Sequence, residues 1–533
     1  MITTKDVTLN YGTRTLFEKV NIKFVPGNCY GLIGANGAGK STFLKVLNGE
    51  VDDYTGDVEI AQGCRLSTLK QDHNAFNEEQ VLQTVIMGDT ELIGVIKERD
   101  AIYEKPDFSD EDGVRAGELE EKIEELGGYE AESNAAQLLA GLGIKDELHS
   151  KQMSELTGGE KVKVLLAQAL FGEPDILLLD EPTNDLDVYA IKWLESFLID
   201  FEKTVVVVSH DRHFLNTVCT HMADIDYGKI TMFVGNYDFW YKSSQMIRQM
   251  QRDQKKKAED KAAQLKEFIA RFSANASKSK QATSRKKALE KLNLDQIKAS
   301  TRKFPYVEFK PERDIGKEVL RVEGLTIEAD GNKLLDNVSF ELLKEDKVAF
   351  LGDELAVTAL FDVLAEKAEA ASGKIEWGVT TSRSYFPADN ADLFNGEALS
   401  LIDWLRQYSK DPDESYIRGF LGRMLFSGDE AKKHTNVLSG GEKVRMLLSK
   451  MMLASANVVI LDNPTSHLDL EAIQALNTAV SKFSGVALFA SHDHEFLQTT
   501  ANRIFEIKEG KLVIHDKTFD EFMGIADEGV LAG

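Results

Sequence analysis

Residues 34–41 constrain the fold of this chain more than any other segment. They read GANGAGKS, which matches G-x-x-x-x-G-K-[ST], and they lie between a strand-like run at 28–33 and a helix-like run that begins at Thr42. Glycines let backbone N–H groups surround phosphate oxygens, and the helix N-terminus adds partial positive charge. Lys40 can reach the terminal phosphates, and Ser41 can bind Mg²⁺. The segment predicts a phosphate-binding loop with candidate ligands Gly34, Asn36, Gly37, Gly39, Lys40, Ser41 and Thr42.

The chain is a diverged duplication. Residues 156–162 read LTGGEKV, and residues 438–444 read LSGGEKV, 282 positions later. Further matched pairs are Asp180 with Asp462, His210 with His492, and, at an offset of 318, Gly34 with Gly352. Chance does not hold one register over so many positions, so the repeat predicts two related α/β domains.

The repeat also predicts where the domains begin and end. We expect one domain at residues 1–241, a second at 305–533, and a linker at 242–304. The first half carries 35 additional residues within 81–143, including the acidic, helix-periodic run at 118–126, which predicts a projecting helical hairpin. The linker holds 18 Lys and Arg against 6 Asp and Glu in a chain whose net charge is −25. The linker and the remainder are therefore expected to face different partners.

Acidic and imidazole side chains follow two further strand-like runs of the first half. Asp180 and Glu181 end one apolar run, and His210 follows the next. Carboxylates at the end of a buried strand are costly unless they meet a partner, so these residues are candidates for a functional site. Ser209, His210 and Asp211 are consecutive and cannot converge on one another as a hydrolase triad.

Together these motifs resemble the nucleotide-binding domains of ATP-binding-cassette proteins. Two cassettes in one chain, a charged helical linker and an insertion in the first cassette resemble the ABC-F family of ribosome-associated ATPases, over essentially the whole chain. The resemblance implies an α/β fold of two tandem P-loop cassettes joined by a helical-hairpin linker. It also implies ATP and Mg²⁺ as cofactors.

The resemblance assigns roles to individual residues. It implies that Tyr11 stacks on adenine, that Asp180 holds Mg²⁺ through water, and that Gln71 lies near Mg²⁺ and the attacking water. Glu181 would polarise that water, and His210 would contact the γ-phosphate. In paired cassettes each site is completed by the other half's signature, here Ser439, Gly440, Gly441 and Glu442.

The second half keeps the cassette frame but loses most of this chemistry. Gly352, Asp462 and His492 remain. The replacements are Ala329 for Tyr11, Val357 for Lys40, Thr358 for Ser41, Ala388 for Gln71 and Asn463 for Glu181. The assignments of Val357 and Thr358 need a one-residue gap, without which Thr358 replaces the lysine. We expect one competent composite site and a second that binds ATP weakly or not at all.

The linker is predicted to be an antiparallel helix pair with a small, polar and basic tip at residues 273–284. Such a tip suits a phosphodiester backbone with little base readout. The RNA-contact candidates are Lys278, Lys280, Arg285, Lys286 and Lys287. On the residues alone an acidic protein partner and a solvated linker both stay open, whereas the family resemblance favours RNA near peptidyl-site tRNA.

The resemblance implies an ATP hydrolase that binds the ribosome near the tRNA exit site as a monomer with paired cassettes. The insertion is similar to the family's Arm, and its acidity favours a basic ribosomal protein over RNA phosphate, although a solvated helical decoration stays open on the residues alone. Hydrolysis would release the factor from rRNA and tRNA. Such proteins regulate translation or protect ribosomes against antibiotics. Three unclustered cysteines, no apolar run of spanning length and no signal peptide lead us to expect a cytoplasmic protein without a zinc site.

Two other functions remain open at this point. The chain could be the ATPase subunit of a transporter that docks on a separate membrane permease, although the long basic linker argues against that. It could also be a binding scaffold with a vestigial ATPase, although the intact first site argues against that.

Overall fold

The structure is a computed structural model that describes residues 1–12, 14–70, 72–184, 186–272, 284, 286–287, 302–329, 331–394, 396 and 398–524. These residues form two α/β domains with the same order of strands around their central sheets. We call them the first and second cassette. The duplicated α/β organisation predicted from the sequence is confirmed.

The first cassette and the helix that leaves it contain nine strands and nine α-helices among the described residues. The strands are β1 Ile2–Tyr11, β2 Arg14–Phe24, β3 Asn28–Gly34, β4 Thr55–Ile60, β5 Leu66–Thr68, β6 Ile176–Asp180, β7 Thr204–Val208, β8 His221–Asp226 and β9 Lys229–Val234. The helices are α1 Lys40–Asn48, α2 Val81–Ile86, α3 Thr90–Tyr103, α4 Asp110–Glu125, α5 Ala131–Gly141, α6 Gly158–Leu170, α7 Val188–Asp200, α8 Arg212–Val218 and α9 Tyr237–Phe272.

The second cassette repeats this order without the long insertion. Its strands are β10 Glu318–Ala329, β11 Asn332–Leu343, β12 Lys347–Gly352, β13 Ser372–Trp377, β14 Arg383–Phe386, β15 Val458–Asp462, β16 Val486–Ala490, β17 Arg503–Lys508 and β18 Lys511–His515. Its helices are α10 Glu354–Leu364, α11 Leu401–Arg406, α12 Glu414–Arg423, α13 Gly440–Ala454, α14 Leu470–Ser481, α15 His494–Thr500 and α16 Phe519–Met523.

Each cassette is built on a six-stranded sheet and a three-stranded antiparallel sheet. In the first cassette the larger sheet has the order β5-β6-β7-β3-β8-β9, and the smaller has the order β2-β1-β4. The second cassette has the corresponding orders β14-β15-β16-β12-β17-β18 and β11-β10-β13. Strand β9 pairs antiparallel with β8, whereas β5, β6, β7, β3 and β8 run parallel.

The central parallel strands bring the motif residues to one edge. Every residue of β7 is buried, which explains its continuous β-branched sequence, because helices cover both faces of a parallel sheet. Asp180 pairs with Val208, and Leu32 pairs with the same residue from the other side. The carboxyl ends of β3, β6 and β7 therefore lie side by side, the usual position of a ligand site in such sheets.

The insertion of the first cassette contains the helices α3 and α4, because α2 and α5 have counterparts in α11 and α12 of the second cassette. Helices α3 and α4 are joined by residues 104–109 and pack on each other through Leu92, Leu119 and Ile123. Helix α4 begins with a capping box in which Ser109 and Asp112 each bond to the other's backbone N–H. Since the remaining positions of α4 are mainly acidic and exposed, this pair presents negative charge to its surroundings.

The linker helix begins inside the first cassette. Helix α9 starts at Tyr237, five residues before the predicted linker, because Tyr237 and Trp240 are buried in the first cassette's core. Lys286 and Lys287 are helical and exposed. Lys278, Lys280 and Arg285, with most of the predicted second arm, lie outside the described residues, so the hairpin and its tip stay predictions.

The two cassettes pack against each other within the chain. The rings of His213 and His494 stack with their centroids 3.6 Å apart. Lys192 Nζ donates to the carbonyl oxygen of Met523 at 2.8 Å, and Leu470 of the second cassette joins the hydrophobic core of the first. The carboxyl ends of the two central sheets thus face a shared interface.

Candidate functional site

The five residues between β3 and α1 form a loop whose N–H groups can meet an anion. Gly37 and Gly39 have φ angles of 73° and 101°, values that glycine adopts without steric cost. The Ala38 N–H donates to the Ala35 carbonyl at 3.0 Å, which closes the turn. Because Gly39 has no side chain with which to cap α1, the first N–H groups of that helix remain open to a phosphate.

Lys40, the first residue of α1, is buried beneath this loop. Its Nζ donates to the Gly34 carbonyl oxygen at 3.0 Å. Burial lowers the pKa of Lys40, while the negative charges of Glu181, Glu471 and Asp469 raise it. Two of these three acids belong to the second cassette, so the lysine lies within the electrostatic reach of both halves. A phosphate would be a stronger acceptor for this ammonium than the carbonyl, because both partners would be charged.

Glu181 and His210 meet at the carboxyl ends of β6 and β7. His210 Nε2 lies 3.2 Å from Glu181 Oε1, and the His210 backbone N–H donates to Glu181 Oε2 at 3.2 Å. Glu181 has a φ of 51°, a strained value for a residue with a Cβ. Burial raises the pKa of Glu181 to about 7, against the influence of Lys40, and burial lowers the pKa of His210 well below its usual value. The pair suits a general base that works near neutral pH beside a neutral imidazole.

One cavity of about 1370 Å³ joins these residues to the second cassette's signature. Its lining from the first cassette includes Asn36, Gly37, Gly39, Lys40, Ser41, Thr42, Glu181 and His210. From the second cassette it includes Ser439, Gly440, Gly441 and Glu442. A Cβ placed on Gly441 would lie 3.8 Å from Asn36 Nδ2, so the loop of one cassette faces the signature of the other. The cavity is large enough for a nucleoside triphosphate.

The signature turn is built to present its hydroxyl and glycines at the start of α13. Ser439 caps the helix, and Glu442 accepts from both the Ser439 N–H at 2.9 Å and its Oγ at 3.0 Å. A Cβ on Gly441 would lie 2.7 Å from the carbonyl oxygen of His467, and one on Gly440 would lie 3.1 Å from the His467 ring. Glycine is therefore required where the turn passes this histidine.

Of the remaining predicted site residues, some line the cavity and others do not. Tyr11 ends β1, is 65% exposed and is not among the described residues that line the cavity. Its counterpart Ala329 ends β10 and is also exposed. Gln71 lies outside the described residues. Ala388 and Asn463, which replace Gln71 and Glu181 in the second cassette, line the cavity.

The second cassette lacks the loop that forms the phosphate site in the first. Asp353 alone separates β12 from α10, whereas five residues separate β3 from α1. The Asp353 carboxylate accepts from the Ala356 N–H at 3.1 Å and caps α10. Gly352 has a φ of 103°, and a Cβ there would lie 2.0 Å from the carbonyl oxygen of Ile507. The chain's own carboxylate thus meets the helix N-terminus that would otherwise face a phosphate.

The two polar side chains that the second cassette retains, Asp462 and His492, each have a partner within that cassette. Thr358 Oγ1 donates to Asp462 Oδ2 at 2.8 Å, which supports the one-residue gap and its assignment to the serine position. Val357, at the lysine position, is buried. His492 Nε2 lies 3.3 Å from Glu354 Oε1, so a carboxylate lies where the first cassette would offer its histidine to a phosphate.

Sequence reasoning did not predict a role for Arg302 at the end of the linker. Its guanidinium lies 2.6 Å from Asp224 Oδ1 and 2.8 Å from Glu471 Oε1, and it therefore joins the two cassettes beside the cavity. Arg302 is one of the 18 basic residues of the linker, and the charge balance of the linker does not set it apart from the others. The repeat offered one signal. Glu471 corresponds to Tyr189, so the second cassette has an acid where the first has a phenol.

A family model described as ABC transporter matches residues 17–184 and 335–466, and a second model with the same description matches residues 223–309. The chain belongs to the ABC transporter family. The Bacillus subtilis (strain 168) "Uncharacterized ABC transporter ATP-binding protein YkpA" is 63% identical over 99% of this chain and 98% of its own length. The Escherichia coli O157:H7 "Probable ATP-binding protein YbiT" is 43% identical over 98% of this chain and 99% of its own length.

Solved structures agree on the fold. The chain titled "RNase-L Inhibitor" matches with a TM-score of 0.62 at 17% identity, over 98% of this chain and 92% of that one. The predicted fold of two tandem ABC ATPase domains is confirmed. Within the described ranges, no helix combines the length and the apolar character needed to cross a membrane.

ABC ATPase domains use ATP with Mg²⁺, and the residues of the first cassette fit both. The open N-terminus of α1 and Lys40 suit the triphosphate, and Ser41 and Asp180 would hold the metal. Among the described residues, no group of three or more His, Cys, Asp or Glu could hold a metal ion. Mg²⁺ takes few protein ligands and completes its shell with phosphates and water.

We expect ATP turnover to fall as the pH is lowered through about 7. Glu181 must be unprotonated to accept a proton from water, and burial raises its pKa to about 7, so the active fraction decreases below that pH. The pH dependence of kcat/KM for ATP, measured at subsaturating ATP from about pH 5.5 to about pH 8.5, checks this profile, because kcat/KM reports the ionisations of the free enzyme.

Glu181→Gln is the control for that profile. Removing the base should lower turnover by about 10²-fold or more above pH 7 and should remove the fall below pH 7, because Gln does not titrate, while circular dichroism shows a folded chain. Turnover that stays at the level of the unsubstituted protein would contradict the assignment of Glu181 as the base.

Proposed function

We propose that this protein is an ABC-F type ATPase that acts on the ribosome near the tRNA exit site. ATP closes the two cassettes around one competent site, closure places the linker near peptidyl-site tRNA, and hydrolysis allows release. The observation that carries the proposal is a paired-cassette cavity at the base of a long, basic helix. The expected role is regulation of translation.

The linker helix supplies the nucleic-acid argument. Helix α9 has 36 residues and would reach ~54 Å at the usual rise per residue. It is anchored at Trp240, which is 1% exposed, and it carries the basic run at residues 255–257. A basic helix on an otherwise acidic protein suits RNA, because lysines bind phosphates while the acidic cassettes are repelled by them.

Relatives and fold neighbours agree with this proposal at a coarser level. The Haemophilus influenzae "ATP-binding protein Uup" is 30% identical over 94% of this chain and 78% of its own length. A structure titled as a complex of archaeal ribosomal stalk protein aP1 and archaeal ribosome recycling factor aABCE1 has a TM-score of 0.61 at 17% identity, over 97% of this chain and 92% of that one. Identity at that level supports the fold alone. The ribosome enters this proposal through the ABC-F resemblance and the linker.

The acidic α3–α4 pair is the candidate for a protein contact. Its exposed face carries mainly Asp and Glu, so phosphate is a poor partner for it. We therefore assign it to a basic ribosomal protein rather than to rRNA. The two proposed contacts therefore differ in charge. The acidic insertion binds protein, and the basic linker binds RNA.

The proposal includes one competent nucleotide site per chain. The first cassette keeps Lys40, Glu181 and His210 facing the second cassette's signature. In the second cassette Asp353 caps the corresponding helix, and the Glu354 carboxylate is paired with His492. Binding ATP there would require displacing two carboxylates from a site without a phosphate-binding lysine.

We expect Glu181→Gln to co-sediment with ribosomes in ATP and much less without it. The variant binds ATP but hydrolyses it slowly, so the closed, ribosome-bound state accumulates. Co-sedimentation through a sucrose cushion with ATP, with ADP and without nucleotide measures this. Equal recovery in all three conditions would contradict nucleotide-controlled binding.

Two variants separate the parts of that experiment. Adding Lys40→Ala to Glu181→Gln should remove the ATP dependence, because the phosphates lose their lysine. Exchanging Lys286 and Lys287 for Glu should weaken ribosome binding without changing ATP binding, whereas the same exchange at the exposed Lys374 should not. Co-fractionation with membranes instead of ribosomes would favour the permease-docking alternative.

We expect one ATP per chain at saturation. Equilibrium dialysis of Glu181→Gln with labelled ATP measures the stoichiometry, since hydrolysis is slow in that variant. Lys40→Ala should reduce the bound nucleotide to near zero, whereas Asp462→Asn in the second cassette should leave it unchanged. Two bound ATP molecules per chain would show that the second site is competent for binding.

A further inference from the structure

Arg302 connects the end of the linker to both cassettes. Its side chain is 2% exposed, with Nη2 2.6 Å from Asp224 Oδ1 of the first cassette and Nη1 2.8 Å from Glu471 Oε1 of the second. The guanidinium carbon lies 4.6 Å from the centroid of the Trp240 ring, and Trp240 Nε1 donates to Asp224 Oδ2 at 3.0 Å. Since Trp240 lies in the first turn of α9, both ends of the linker meet at one contact between the cassettes.

On the opposite side of the interface, the two residues that correspond to Glu471 and Asp224 bond to each other directly. In the repeat of 282 positions, Tyr189 corresponds to Glu471, and Glu506 corresponds to Asp224. The Tyr189 hydroxyl donates to Glu506 Oε1 at 3.4 Å, so a phenol meets a carboxylate directly. On the Arg302 side the same two positions are both carboxylates. They would repel each other across the interface unless a cation lay between them.

An arginine from the linker meets this need. Its planar guanidinium can bond to two carboxylates at once, which the single ammonium of a lysine does less well. Asp224 and Glu471 are both buried, with side chains 11% and 5% exposed, so water does little to screen their charges. Closure on this side of the interface therefore depends on a residue that belongs to the linker.

The contact also borders the ATP cavity. Glu471 and Lys303, the residue after Arg302, line the cavity together with Lys40. Burial has the largest effect on the pKa of Lys40 and lowers it, while Glu471 raises this pKa and Arg302 lowers it. Without Arg302, the Glu471 carboxylate would be an unneutralised acid beside the phosphate-binding lysine, where it would repel the triphosphate.

We propose that Arg302 is a positioning residue of the ATP site, which ties the linker to both cassettes and keeps the Glu471 carboxylate from competing with ATP for Lys40. A partner that displaces the end of the linker would then weaken ATP binding, and bound ATP would fix the linker. This coupling does not require that the partner be the ribosome, so it can fail or succeed independently of the proposed function.

Arg302→Gln tests this proposal through the KM for ATP. The KM should rise about tenfold, because a buried charge pair has lost its cation, while kcat stays within about threefold, because Glu181 and His210 are untouched. Adding Glu471→Gln should return the KM to within about threefold of the unsubstituted value, since the repelling acid is gone. If Arg302 acted only as a structural bridge, the double variant would keep the raised KM, because it still lacks the bridge.

Controls keep the result interpretable. Glu506→Gln on the opposite side should leave the KM unchanged, and melting temperatures identify any variant that is simply unfolded. If Arg302→Gln does not fold, Arg302→Lys and its combination with Glu471→Gln replace it, with a smaller KM increase that the second substitution removes. An unchanged KM in the single variant, or a double variant as impaired as the single one, would overturn the proposal.

Discussion

A helix N-terminus must find acceptors for its free N–H groups, and the two cassettes meet this constraint in different ways. Helix α1 follows Gly39, which has no side chain to cap it, so a phosphate can bond to its first N–H groups. Helix α10 follows Asp353, whose carboxylate caps it. The first arrangement needs a ligand, whereas the second is already satisfied. The proposed division of work between the two halves follows from this difference.

The asymmetry gives the second cassette a different role in the same site. It provides the turn of Ser439, Gly440 and Gly441 opposite the first cassette's loop, and it provides Glu471 at the edge of the cavity. The negative charge that it brings is balanced by Arg302 from the linker. The linker, which is expected to contact RNA, is thus bonded to both cassettes beside the proposed nucleotide site.

Local sequence patterns predicted the parts of the site that depend on local structure. The glycine-rich loop, the acids that end β6 and the histidine after β7 were predicted because short motifs fix their backbone context. The family resemblance predicted the pairing of the first loop with the second signature. The loss of Lys40 in the second half was also visible, although the helical turn that replaces the loop was not. Asp353 before a helical run was the signal for that turn.

Other features depend on distant partners and leave no local pattern. Arg302 lies 78 positions from Asp224 and 169 from Glu471, so no motif links these residues. Helix α9 begins before the predicted linker because Trp240 packs into the first cassette, which composition does not reveal. The RNA contacts and the position of Gln71 remain predictions from the family resemblance.

The central claim is that ATP lies between the first cassette's loop and the second cassette's signature. Ser439 and Thr157 test it as a matched pair, because each caps its helix in the same capping box and each should lose the same helix stability on change to Ala. The account predicts that Ser439→Ala lowers kcat/KM for ATP by about tenfold, whereas Thr157→Ala leaves it within about twofold. Equal losses in the two variants, or a larger loss at Thr157, would contradict it.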